Sequence, residues 1–143
     1  MSLYLDASIL LPALIQEEST ATVHAYLAAT DRELLISDFA AAEVASALSR
    51  LLRTGLLDGA SASSRLADFE AWRAATSSPI DLHAADARLA YAYVRKFDLA
   101  LRAPDALHIA IARRRDAMLV TFDRRMARAA LQLGVAAEIP ATT

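Results

Sequence analysis

Apolar residues fall into two kinds of run along this chain. Short blocks, Leu3-Tyr4-Leu5, Leu34-Leu35-Ile36 and Met118-Leu119-Val120-Thr121-Phe122, are bounded by polar residues and read as buried strands. Longer stretches repeat at helical spacing. One runs from Ile9 to about Gln16 behind Ser8 as its cap, and a second follows Ser19 to about Ala29. A third, Phe39 to Arg53, carries a clean stripe of Ala40, Val44, Ala47, Leu48 and Leu51, and a fourth spans Asp58 to about Ala75 with Leu66, Phe69 and Trp72 as anchors. Gly55 and Gly134 stand where helices should stop. Thr76-Ser77-Ser78-Pro79 reads as a loop, Ile80-Asp81-Leu82 as a short strand, Ala84 to about Phe97 as a helix, and Val135 to Ile139 as an edge strand after a helix ending at Leu133. Strands alternating with helices predict an α/β/α three-layer domain around a small, mostly parallel sheet.

The segment from Arg102 to Ala112 is different in kind. Pro104 suits a first helical turn, and Leu107, Ile109, Ala110 and Ile111 point almost all round the axis, so this helix should be buried. Asp105 nevertheless sits at its mouth, where an acid also complements the helix dipole.

Composition narrows the class. A chain of 143 residues is expected to form a single domain over residues 1–143. At 56% hydrophobic residues it is slightly rich for a small domain, which leaves apolar surface for a partner. The net charge of −2 neither indicates nor excludes nucleic acid, and Lys96 is the only lysine. The lack of cysteine removes disulfides, thiolate nucleophiles and cysteine zinc sites. No apolar run is long enough to span a membrane, and the first basic residue is Arg32, so a soluble, cytoplasmic protein without a secretory signal is expected.

Two apolar strands each deliver an aspartate at their carboxyl end, Asp6 and Asp123. Sites in open α/β sheets form outside that end. Thr121 and Ser8, two residues from these acids, share their faces. Asp105 and Glu43 can converge on the same place, although Glu43, with no basic neighbour one turn away, also fits a solvated edge position. Carboxylates gathered in one pocket raise each other's pKa, and a divalent cation resolves the repulsion. Hard oxygen ligands without cysteine or paired histidine point to magnesium, or manganese, and so to metal-assisted phosphodiester hydrolysis. His108, one turn from Asp105, reads as a core histidine satisfied by a hydrogen bond. Arg113-Arg114-Arg115 with Arg124, Arg125 and Arg128 fits either a phosphate-binding rim or solvated helix ends.

Tyr4-Leu5-Asp6-Ala7-Ser8, Ser37-Asp38-Phe39-Ala40-Ala41-Ala42-Glu43-Val44, Pro104-Asp105-Ala106-Leu107-His108-Ile109-Ala110 and Leu119-Val120-Thr121-Phe122-Asp123 resemble, in order and spacing, the four acidic motifs of PIN-domain ribonucleases. The compact length is similar to that of VapC-type toxins of bacterial toxin–antitoxin pairs. The resemblance implies that Asp6, Glu43, Asp105 and Asp123 are the catalytic and metal-binding acids, with Ser8 and Thr121 as supporting hydroxyls. It also implies RNA as substrate, a small antitoxin whose tail blocks the site, and a homodimer. Two other readings of the residues stand beside it. One is a phosphatase or phosphotransferase with Asp6 as nucleophile, disfavoured because no second aspartate follows two residues on. The other is an inactive domain that only binds a partner, disfavoured by the presence of all four acids.

Overall fold

A computed structural model describes residues 1–141; Thr142 and Thr143, which close the expected domain, lie outside the described residues. The chain forms β1 (Leu3–Leu5), α1 (Ala7–Leu14), α2 (Thr20–Ala28), β2 (Leu34–Ser37), α3 (Asp38–Arg53), α4 (Gly59–Thr76), β3 (Ser77–Ile80) and α5 (Ala84–Val94). A 3-10 turn at Phe97–Leu99 leads to α6 (Ala103–Arg114), β4 (Met118–Val120), α7 (Arg124–Gln132) and β5 (Ala137–Glu138). The five strands pair in the order β3-β2-β1-β4-β5, and every pairing is parallel.

Period-2 alternation splits the strands between two cores. Tyr4, Leu35 and Leu119 face a cluster built with α5, α6 and α7, whereas Leu3, Leu5, Leu34, Ile36 and Val120 face one built with α1, α2, α3 and α4. The result is the three-layer α/β/α arrangement that the alternation predicted. The wholly apolar helix is α6, with Ala106, His108 and Ile109 to Ala112 all buried. Because the strands are parallel and joined through helices, α1, α3 and α7 each start just beyond a strand's carboxyl end. α6 precedes β4, so its start lies at that same edge of the sheet.

Several boundaries differ from those read in the sequence. The third strand is Ser77-Ser78-Pro79-Ile80 and not Ile80 to Leu82. It lies at the sheet edge, where a proline costs no ladder bond and polar side chains can face water. The cap of α1 is Asp6, not Ser8: its carboxylate accepts the Ser8 amide at 3.1 Å. The helix expected to reach Phe97 ends at Val94, and Ala100, with φ of 55°, turns the chain into the α6 approach.

The arginine group also divides. Arg113 and Arg114 close α6 at the sheet's opposite edge, where they serve structure. Arg113 donates to the Leu133 carbonyl at 3.2 Å, and the Arg114 guanidinium forks onto both oxygens of Asp86 at 2.8 and 2.9 Å. Asp86 also accepts the His83 amide and is 2% exposed in its side chain. Burial pushes this carboxyl up, but the Arg114 and His83 bonds outweigh burial and hold it below the usual range.

Removing one partner of a buried pair leaves the other uncompensated, so Asp86→Ala should cost about 3 kcal/mol in denaturant titration at neutral pH. A depressed acid stabilises the fold above its unfolded titration range and loses that contribution as pH falls through its folded one. The gap between wild type and Asp86→Ala should therefore narrow below about pH 4. A gap independent of pH would assign the loss to packing alone.

Candidate active site

Asp6 leaves β1 almost entirely buried, at 3% exposure, so its oxygens need partners from the protein. The first turn of α1 and the residue just past β4 supply them. The Ser8 hydroxyl donates to Oδ1 at 2.6 Å and the Thr121 hydroxyl to Oδ2 at 2.6 Å. Both hydroxyls also accept: Ser8 Oγ takes the Phe122 amide at 2.9 Å, and Thr121 Oγ1 takes the Asp123 amide at 3.0 Å. β1 and β4 are adjacent and parallel, so these five residues close one network across the ends of the two strands. Asp123 then caps α7, accepting the Met126 amide on Oδ1 at 3.0 Å.

Asp105 stands at the start of α6, and its Oδ2 reaches back to accept the Arg102 amide at 3.2 Å. Asp6, Asp105 and Asp123 thus each sit at a helix N-terminus, where aligned amides favour negative charge. Glu43, in the second turn of α3, is held differently. Its Oε1 meets Nε2 of His108 at 2.5 Å, and His108 Nδ1 meets the Tyr4 hydroxyl at 2.7 Å. His108 is therefore the buried, hydrogen-bonded histidine that was expected, but its partner was not foreseen. The partner lies 65 residues away on another helix, beyond the reach of any local spacing rule. Burial pushes the Tyr4 phenol far above its usual range, so it remains a neutral donor.

Asp6 is held above the usual carboxylate range, foremost by burial, with the Ser8 and Thr121 bonds opposing. This corrects the expectation that mutual repulsion among the acids would be the cause. Among the described residues, no three His, Asp or Glu side chains stand close enough to form a ready-made metal cage. The donor chemistry still fits a hard divalent cation. Glu43 Oε2, Asp105 Oδ1 and Asp123 Oδ2 accept no hydrogen bond among the described residues. Magnesium commonly takes only one or two carboxylates, completing its shell with water and substrate phosphate. Beside Ser8 and Phe122, an open cleft of about 650 Å³ runs between α1 and α2, with Glu17 and Glu18 at its wall.

A parallel sheet between two helical layers, with aspartates just past β1 and β4, defines the class of protein. The chain belongs to the PIN domain family, whose model matches residues 3–131. No curated protein sequence matches it significantly. Solved structures of the same fold include VapBC2 from Rickettsia felis bound to a promoter DNA fragment, at 16% identity, a TM-score of 0.72, and coverage of 97% of this chain and 98% of that one. VapC20 of Mycobacterium tuberculosis, a sarcin-ricin loop cleaving toxin, shares 17% identity with a TM-score of 0.71 over 90% of this chain and 95% of that one. FitAcB from Neisseria gonorrhoeae is 19% identical, with a TM-score of 0.68 over 96% and 97% of the two chains.

An acid raised by burial binds its proton more tightly in the folded state, so the fold gains stability as pH falls toward about 4, where the unfolded state also protonates. Asn caps as well as Asp. Asp6→Asn should therefore melt above wild type at pH 7 in chelator, with the difference closing in acid. Parallel melting curves for the two proteins across that range would remove charge burial at Asp6 from the account.

Proposed function

We propose that this PIN-domain protein is a divalent-metal-dependent endoribonuclease, the toxin of a toxin–antitoxin pair, acting as a single domain in the cytoplasm. The reading is supported by two aspartates that cap helices, a third in the first turn of α6, and a glutamate bonded to a buried histidine, each at a strand end or in the first turns of a helix. Asp6, Glu43, Asp105 and Asp123 are the proposed catalytic and metal-binding acids, with Ser8 and Thr121 as their supporting hydroxyls. PIN-domain nucleases generally use divalent metals, and the all-oxygen donor set favours magnesium or manganese. When bound, such an ion supplies charge neutralisation at phosphorus and activation of water.

The chain's own part is positional. Ser8 and Thr121 fix both oxygens of Asp6, and the α6 and α7 N-termini hold Asp105 and Asp123, each with one oxygen free of hydrogen bonds among the described residues. Exposed Arg124 and Arg125 follow Asp123 and are placed to meet RNA phosphates. The same acids suit a basic antitoxin side chain, since a guanidinium fork satisfies two carboxylates at once. That a solved VapBC complex shares the fold supports an antitoxin partner. A homodimer is part of the proposal, using the apolar surplus of the surface. No helix among the described residues is long and apolar enough to cross a membrane.

Asp6→Asn, Glu43→Gln, Asp105→Asn and Asp123→Asn should each abolish cleavage of RNA while keeping the fold, because members of one catalytic unit fail together. Any variant that cleaves at the wild-type rate is thereby removed from the site. Magnesium should raise wild-type stability by about 2.7 kcal/mol at a hundredfold excess over Kd, and Asp6→Asn should blunt that gain. A protein whose melting and cleavage ignore both magnesium and chelator would sink the metal reading and favour the binding-only one.

A further inference from the structure

His108 is a buried titratable side chain bonded to one of the site acids, and the proposed chemistry leaves it without a task. It is 3% exposed and bonded at both ring nitrogens. Its ring plane is set by packing, with the Phe39 and Tyr4 rings at 5.0 and 5.7 Å between centroids, each tilted by nearly 50°.

The hydrogen bonds behind it run in one direction. The Ala40 amide donates to Ser37 Oγ at 2.9 Å, which occupies that oxygen as an acceptor. Ser37 is fully buried, and its hydroxyl has one further partner among the described residues, the Tyr4 oxygen at 2.7 Å. The Ser37 proton therefore goes to Tyr4, and the Tyr4 proton goes to His108 Nδ1. That leaves the imidazole hydrogen on Nε2, aimed at Glu43 Oε1. Run the other way, the Ser37 proton has no acceptor, and a bare Nε2 faces a carboxylate. A buried donor without a partner costs about 1–3 kcal/mol, so the first direction wins.

We propose that His108 is the positioning residue of Glu43: a one-way relay from the α3 amide through Ser37 and Tyr4 fixes its tautomer, and its Nε2–H fixes one oxygen of Glu43 so that the other faces the site. The role rests on the reading of Glu43 as a site acid. Groups that orient a ligating side chain typically change metal affinity or activity by about 10- to 100-fold when removed.

The test uses two polar replacements of the same buried ring in the full-length chain. His108→Gln can put an amide N–H near the place of Nε2 and keep the donor to Glu43. His108→Asn reaches only the place of Nδ1, keeping the Tyr4 contact and losing the donor. We expect His108→Asn to lower kcat on RNA and the affinity for Mn2+ alone, measured by calorimetry, by about 10- to 100-fold. His108→Gln should recover most of both, although both variants melt lower. Equal losses in the two variants, tracking their melting temperatures, would make His108 structural only and overturn the proposal. A nitrogen-resolved imidazole spectrum of the wild type in chelator should show hydrogen on Nε2 and a bare Nδ1, and a hydrogen on Nδ1 overturns the relay even if neither variant folds. Glu43→Gln separates the two levels. If it cleaves like wild type, the functional reading of Glu43 falls; if it is dead while His108→Asn keeps full rate and Mn2+ affinity, the positioning role alone falls.

Discussion

One buried carboxylate organises the end of the sheet. Asp6 emerges from β1 at a depth where an unpaired charge could not be tolerated, and its satisfaction depends on Ser8 in the first turn of α1 and Thr121 just past β4 reaching it together. The same two hydroxyls accept the Phe122 and Asp123 amides, so the bond set that stabilises Asp6 also fixes where β4 stops and α7 begins. Strand register, the first turn of α1 and the cap of α7 are consequently one cooperative feature. Buried polar networks of this kind stabilise only when every member is satisfied.

A second tie joins the two helical layers. α6 packs with Tyr4 in one core, and α3 packs through Ala40, Val44 and Leu48 in the other. The His108–Glu43 bond passes between these layers beyond the strand ends, and the Tyr4 hydroxyl links it to the α3 cap at Ser37. The apolar character of α6 follows from its place in the core. It also explains why its one buried polar side chain must be matched so fully.

Much of this was legible in the residues because its causes are local. Three short apolar blocks gave strands β1, β2 and β4, and the stripe from Ala40 to Leu51 gave α3. The all-round apolar helix was readable as buried from residue directions alone. What escaped depends on long-range pairing. β3 is a polar, proline-containing segment that becomes a strand only because β2 offers it a free edge. Asp6 and Ser8 are both good capping residues, and the extended backbone of Asp6, with its carbonyl taking the Ile9 and Leu10 amides, makes Asp6 the cap of α1. Glu43 has no helical ion-pair partner, so no spacing argument could have paired it with His108. Arg114 was indistinguishable from a solvated helix end until Asp86 came round beneath it.

The backbone bonds of three aspartates that the proposed function also uses have a consequence for how such a chain can change under selection. Asp6, Asp105 and Asp123 each bond a backbone amide at a helix start, so most replacements would harm folding as well as any chemistry. An inert but intact descendant is reached by a narrow route, through asparagine, which keeps the cap and discards the charge. A lineage under pressure to silence the protein would therefore tend either to lose it whole or to carry that one signature at these positions.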